Sequence, residues 1–198
     1  MTRRRPLVIV IAGPNGAGKS TTAPSLLRDA LQVSEFVNAD AIAGGLSAFR
    51  PDSVAIPAGR AMLERMQHLA EARADFAFET TLASRSLAPW LARLKRRGYH
   101  VHVLFLWLES ADLAVDRVAA RVRVGGHDVP EGTVRRRYER GLRNLFHLYL
   151  PLTDSWQVFD NSRLGPPRLV ASGREEWAER VANASQWRRI VEVYREQL

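Results

Sequence analysis

Along the whole chain, short runs of β-branched and aliphatic residues alternate with stretches whose apolar positions recur at helical spacing. The run LVIVIA predicts a fully buried strand at 7–12, and shorter apolar runs predict strands at 36–38, 76–78, 101–108 and 157–159. Helical periodicity predicts helices over 19–31, 58–73, 87–97, 111–123, 130–149 and most of 175–197. Ser110 ahead of Ala111, Asp112 and Leu113 is an N-cap signature, and Pro130 suits a first helical turn. Strand and helix in alternation imply an α/β domain: a mostly parallel, five-stranded sheet covered by helices on both faces, three layers in all. No internal repeat or low-complexity linker interrupts it, so 1–198 is read as one domain. In such sheets ligands bind at the carboxyl ends of the strands, and every chemical candidate below falls at one of those ends.

The first of them is GPNGAGKST, directly after LVIVIA: Gly13, Pro14, Asn15, Gly16, Ala17, Gly18, Lys19, Ser20 and Thr21. Two glycines separated by four residues, then lysine and serine, make a P-loop, so the fold expected is that of the P-loop NTPases. Its glycines let backbone N–H groups curl around a β-phosphate, Lys19 bridges β- and γ-oxygens, and Ser20 offers a hydroxyl to Mg²⁺. ATP and Mg²⁺ are therefore the expected ligands. The loop itself reads much like that of ABC-type transport ATPases. Those enzymes also need an LSGGQ-like signature and a strand ending in Asp-Glu, and neither is present; the nearest glycine pair, GGLS at 44–47, lacks the pattern. There is no NKxD-like guanine-reading segment either.

Composition narrows the setting. A formal charge of +8 and a pI near 10.8 point to anionic partners, whether nucleotides, nucleotide sugars or nucleic acid. An arginine-favouring coding bias accounts for the charge equally well. Of 29 basic residues only Lys19 and Lys95 are lysine, and one of them occupies the position where a compact ammonium is wanted. No apolar run reaches the roughly 18 residues of a membrane span, so no membrane partner is expected. The basic start MTRRR resembles a signal peptide, but the short apolar run feeds the glycine loop without a cleavage site and reads as strand. With no cysteine, disulfides and thiolate metal sites are unavailable, and a cytoplasmic location is expected.

Several residues could direct a phosphate elsewhere than to water. Asp40, at the tip of the second strand in VNADAIAGGL, is placed to accept a proton from a substrate hydroxyl, or else to cap the following turn. Glu79 ends FAFE at the rim of the cleft, where it could orient a substrate hydroxyl or a metal-bound water. Thr80 and Thr81 follow as substrate contacts, unless TTLASRS is an ordinary helix-entry loop. Arg117 and Arg121 share one helical face. A Gly125–Gly126 hinge and His127 follow, and then a second basic helix. In that helix Val134, Tyr138, Leu142, Leu145 and Tyr149 form the apolar face. Arg136, Arg140 and Arg143 point away from it, and Arg135 and Arg137 lie along its borders. The region of about 111–150 thus reads as a lid whose arginines could reach a transferring phosphoryl group, or as two helices with solvated basic faces. In the loop Asp160–Asn161–Ser162, Asn161 could read an adenine edge; a turn of turn-forming residues is the alternative. The other histidines, His68, His100, His102 and His147, show no metal-ligand spacing.

Together, GPNGAGKST, NADAIAGGLSAF, FAFETTLASRS, FLWLES, RVAARVRVGGHDVPEGTVRRRYERGLRNL and VFDNS resemble the zeta-toxin-like P-loop kinases, in particular the compact bacterial branch known as predicted ABC-type ATPases. The resemblance covers about 7–162. It implies an ATP-dependent kinase acting on a sugar hydroxyl of UDP-N-acetylglucosamine, restrained by an antitoxin. By the same resemblance Lys19 and Ser20 would bind ATP-Mg²⁺, Asp40 would be the general base, Glu79 would contact substrate, and Arg117 would be the first phosphate-gripping lid arginine. The family's second lid arginine precedes a Thr-Pro-like step, and here His127–Asp128–Val129–Pro130 falls at that place, leaving the role to Arg121, Arg123 or an arginine near Arg135. The alternatives are a kinase of nucleic-acid ends or of another metabolite, and an ATP-binding regulatory module without phosphoryl transfer.

Overall fold

Five parallel strands form the centre of the computed structural model, which describes residues 4–25, 27, 32–48, 50–175 and 177–194. They are β1 (Leu7–Ala12), β2 (Glu35–Val37), β3 (Phe76–Thr80), β4 (His100–Trp107) and β5 (Ser155–Asp160). Two more, β6 (Arg168–Arg174) and β7 (Trp177–Val181), add antiparallel to the β5 edge. The spatial order is β2-β3-β1-β4-β5-β6-β7, so β1, buried on both faces, lies between β3 and β4 as its unbroken apolar run requires.

The expectation of five strands is therefore short by two, and the expected helix over 175–197 is corrected. Trp177–Val181 is strand, and the last helix, α7, covers Ala184–Tyr194; positions 195–197 lie outside the described residues. All five β7 residues are exposed. A strand held by its ladder to β6 rather than by burial shows no hydrophobic alternation, which is why the pattern missed it.

The helices are α1 (Lys19–Ser25), α2 (Ala39–Leu46), α3 (Ala55–Glu71), α4 (Leu87–Arg96), α5 (Ala111–Arg123) and α6 (Glu131–Asn144), with α7 last. The expected extension of α1 to 31 falls largely outside the described residues. Ser110 caps α5 by accepting from Leu113 N at 3.1 Å, and Pro130 stands at the N-cap of α6, one residue before its first turn. The expected helix over 130–149 ends at Asn144 and continues as a wider π turn, Leu145–Tyr149. The pattern did not predict α2, whose ADAIAGGL carries two glycines.

The sheet separates two apolar clusters. On one face Val8, Val10, Phe76, Phe78, Val103 and Phe105 pack against α3, α4, α5, α6 and α7; on the other, Ile9, Ile11, Ala77 and Leu104 meet Ala23, Leu27 and Val33. The three layers are present but unequal. No described helix is long and apolar enough to cross a membrane.

Where the thinner layer ends, β4 turns polar: His100 Nε2 and His102 Nδ1 lie 2.9 and 2.7 Å from the Ser155 hydroxyl of β5. Burial, reinforced by the neighbouring His100, pushes His102 down from 6.5 to about 4. The folded-state value lies below the unfolded one, so protonation favours the unfolded chain, and stability falls as pH drops from about 6.5 toward about 4. At about 1.4 kcal/mol per unit, this site accounts for at most about 3 kcal/mol of that loss. In urea unfolding measured across that range, His102→Gln is expected to flatten the dependence of the midpoint on pH. An unaltered slope would assign the acid sensitivity to other groups.

Candidate active site

The loop between β1 and α1 approaches its surroundings too closely for side chains at two points. Gly13 has φ 145°, and a Cβ there would collide with the Leu106 carbonyl of β4. Gly16 has φ 78°, and a Cβ would lie 2.9 Å from the Ala114 carbonyl of α5 and 3.0 Å from Arg117 Cβ. Both values are in the region that glycine adopts without strain. The loop is thereby clamped between β4 and α5, at the carboxyl end of the sheet. Asn15 Oδ1 at its tip is buried with no hydrogen-bond partner.

Lys19 folds back into this loop. Its ammonium, 6% exposed, donates to Pro14 O at 2.9 Å and pairs with Glu79 Oε1 at 3.6 Å. Burial lowers its pKa; the nearby charges of Glu79 and Asp40 work against that, and Arg121 adds to it. Glu79 is the hub of the group. The Ser20 hydroxyl donates to its Oε2 at 2.7 Å, and so does Asn38 Nδ2 at 2.7 Å. A serine that gives its proton to a carboxylate keeps oxygen lone pairs for a cation. The donor set of Ser20 with Glu79 behind it therefore fits Mg²⁺, and the glycine cradle with its buried lysine fits nucleotide phosphates.

Asn38 is the residue the sequence reading missed. Its Oδ1 accepts from Asp40 N at 2.8 Å and Ala41 N at 3.2 Å, capping α2, while its amide nitrogen holds Glu79. The signal was available: asparagine before Ala-Asp is a strong N-cap. Asp40 lies in the first turn of α2, so the capping role considered for it belongs to Asn38. The Asp40 carboxylate accepts no hydrogen bond from the described residues and is exposed. It lines a cavity of about 260 Å³ with Ala39, Ala43 and Gly44 of α2, Ala55 and Ala58 of α3, and His127 and Arg137 from the other side.

Thr80 and Thr81 are turned to the backbone of their own loop: Thr80 Oγ1 accepts from Leu82 N at 3.1 Å, and Thr81 Oγ1 from Ala83 N at 3.5 Å. Asn144 Nδ2 and the Tyr149 hydroxyl donate to the carbonyls of Leu82 and Ser84, both at 2.7 Å, tying that loop to the end of the helical region.

The two arginines of α5 part company. Arg117 donates from Nη1 to Asn161 O at 2.7 Å and from Nη2 to Ser162 O at 2.9 Å. Asn161 Nδ2 in turn donates to Ala17 O at 2.8 Å, so this pair fastens the β5 loop to the P-loop. Asp160 completes that loop. Burial would raise its carboxyl, but hydrogen bonds from Ser162 and from Gln186 of α7 outweigh it and hold the pKa low. Arg121 donates to His127 O at 2.7 Å, and its Nε is buried with no hydrogen-bond partner. Gly126 packs so closely on Arg121 that a Cβ would collide with its Cγ.

Residues 8–141 match the model of an AAA domain family, AAA_33. The chain belongs to that family. An uncharacterised protein of Haemophilus influenzae is 31% identical over 130 residues, which are 66% of this chain and 91% of that protein. The fold is similar to that of the AvrRxo1-ORF1:AvrRxo1-ORF2 complex solved with sulphate ions, with a TM-score of 0.74 at 16% identity over 98% of this chain and 65% of that one. This chain thus spans just under two thirds of that protein, which has also been solved with ATP. The PezAT toxin-antitoxin system of Streptococcus pneumoniae gives a TM-score of 0.67 at 15% identity, over 100% of this chain and 82% of that one. A gluconokinase from Sinorhizobium meliloti gives 0.51 at 20%, over 81% and 86%. The AAA domain chain described here therefore has the fold of P-loop kinases and of toxins of toxin–antitoxin systems. In this AAA domain Asn38→Ala is expected to lower the unfolding free energy in urea by about 1 kcal/mol through loss of the α2 cap. It is also expected to weaken MgATP binding measured by calorimetry, because Glu79 loses a partner. Unchanged affinity would show that Lys19 and Ser20 suffice to hold Glu79.

Proposed function

We propose that the protein is an ATP-dependent kinase that transfers the γ-phosphoryl group to an alcohol of a small molecule. The observation that carries this reading is Asp40: a carboxylate that accepts no hydrogen bond from the described residues, in a cavity lined by alanines, Gly44, His127 and Arg137, close enough to Lys19 for their charges to interact. A protein that only bound nucleotide would have no use for a base there.

Lys19 and the P-loop amides would hold the phosphates, and Ser20, donating to Glu79, would hold Mg²⁺ with its free lone pairs. Mg²⁺ bound there would supply neutralisation of the phosphate charge. Asp40 takes the proton of the acceptor hydroxyl as the new O–P bond forms and the bond from the γ-phosphorus to the β–γ bridging oxygen breaks, releasing ADP. Arg121, with its free Nε and its place near Lys19, is the group best suited to stabilise charge on the transferring phosphoryl. Arg117 acts through the Asn161 loop as a positioning residue, beside the face expected to carry adenine. The motifs of the zeta-toxin-like kinases favour a sugar hydroxyl of a nucleotide sugar such as UDP-N-acetylglucosamine as acceptor, an antitoxin as partner and the cytoplasm as setting. The toxin–antitoxin neighbours support that reading at the level of fold.

Mass spectrometry of a metabolite extract incubated with protein and MgATP is expected to show one new species heavier by one phosphate. ADP without any such species would sink the kinase reading. Asp40→Asn is expected to lower kcat by about 10²- to 10⁴-fold with the KM for ATP little changed. Arg121→Ala is expected to lower kcat by about 10²- to 10³-fold, whereas Arg117→Ala is expected to raise the KM for ATP first. Steady-state kinetics on the identified acceptor separates the two arginines, and the opposite pattern would exchange their roles.

A further inference from the structure

The cavity that holds Asp40 continues outward. A second hollow of about 380 Å³ lies against it, lined by Asp128, Val129, Pro130 and Thr133, and the two share Ala55, His127 and Arg137. Arg137 thus stands at the junction, with the reacting end on one side and the exit on the other. The inner cavity, at about 260 Å³, is smaller than the roughly 300 Å³ at which pockets for whole drug-sized ligands begin. It accommodates the hydroxyl-bearing end of an acceptor and leaves the remainder at Arg137.

The other arginines near the start of α6 are satisfied by the protein. Arg135 pairs with Glu131 at 2.8 Å and Asp112 at 2.6 Å, and Arg136 donates to Thr133 Oγ1 at 3.1 Å. Arg137 is half-buried and makes no hydrogen bond or ion pair with the described residues. A guanidinium carries five donors in a planar fork, and one partly shielded from water with no ion-pair partner is well matched by a phosphate or carboxylate from outside. The wall of Ala39, Ala43, Gly44, Ala55 and Ala58 offers no side-chain charge; Asp40 in the inner cavity and Asp128 in the outer one line the same hollows, yet neither forms an ion pair with Arg137.

On the kinase reading above, we infer that Arg137 binds an anionic group of the acceptor while the acceptor's hydroxyl lies against Asp40, so that the enzyme selects acidic alcohols over neutral ones. Arg137 is then the residue that sets acceptor class, separate from the groups that hold ATP.

The test uses acceptor pairs that differ by one anionic group: N-acetylglucosamine with its 1-phosphate, and glycerol with glycerate. The phosphate and carboxylate arms distinguish the two anions. For at least one pair the anionic member is expected to have a kcat/KM at least 10-fold higher. Arg137→Ala is expected to lower that value about 10- to 100-fold through the acceptor KM, collapsing the preference, with the KM for ATP within about two-fold of its original value. Arg137→Lys is expected to restore part of the preference. Equal use of both members, equal loss on both, or a raised KM for ATP overturns the inference while leaving the kinase intact. If no acceptor is phosphorylated, calorimetry of the anionic members against protein with a non-hydrolysable ATP analogue decides separately. Binding weakened at least 10-fold by Arg137→Ala supports the anion site without the kinase, and absence of binding removes it.

Discussion

The chemistry at the top of this sheet depends on one ion pair, Lys19 with Glu79. An ammonium taken out of water without a partner would cost several kcal/mol or give up its proton. Glu79 prevents both and simultaneously accepts from Ser20 and Asn38. It can do so because β1 and β3 pair in parallel with Ile11 opposite Glu79 and Ala12 opposite Thr80. That register brings the carboxylate level with the end of β1, where the glycine loop begins. A slip of one residue would turn Glu79 to the opposite face of the sheet and leave Lys19 without its partner. The apolar residues of the two strands therefore set more than stability: they determine which carboxylate meets the P-loop.

Around that pair the backbone is packed at distances that leave no room for side chains. Gly13 lies on β4 and Gly16 on α5, so the phosphate cradle is braced from two sides before any ligand arrives. The bracing extends through Asn161 to Ala17, then to Arg117, and through Asp160 to Gln186 of α7. The C-terminal segment, which lies beyond the matched family domain, thus contributes to the stiffness of the cradle. A preorganised site of this kind holds its donors in place without reorganisation when charge develops.

What could be read from the chain follows from how each element is stabilised. β1 and its loop were legible because a doubly buried strand must be continuously apolar and a phosphate cradle must be glycine-rich. α2 was not, because Gly44 and Gly45 weaken its intrinsic propensity and the Asn38 cap compensates only once β2 has delivered that residue to Glu79. β7 escaped because an edge strand held by its backbone ladder leaves no period in the side chains, and β6 because its buried apolar run, Val170–Ala171, is too short to show one. At the site, Lys19, Ser20, Glu79 and Asp40 are brought to one end of the sheet, as their positions after strands implied. The division of labour between Arg117 and Arg121 could not be read, since both lie on one helical face four residues apart. Only the tertiary environment, carbonyls of the β5 loop for one and Gly126 and the His127 carbonyl for the other, tells them apart.

That division bears on how the lid region works. Arg117 is tied by two hydrogen bonds to backbone carbonyls of the β5 loop, so α5 is anchored to the central sheet at that point. One turn later the helix carries Arg121, whose orientation depends on the hinge of Gly125 and Gly126 rather than on the sheet. Bending at the hinge would move α6 while α5 and the cradle stay fixed, changing the Gly126 and His127 contacts of Arg121. Because Arg137 rides on α6 and Asp40 on α2, the same motion alters the gap between the acceptor's two ends. On the proposed kinase function, a hinge between Arg121 and the helix that carries Arg137 would couple closure over ATP to occupancy of the acceptor cavity. A kinase of the proposed kind needs such coupling if water is to be excluded until the acceptor is in place.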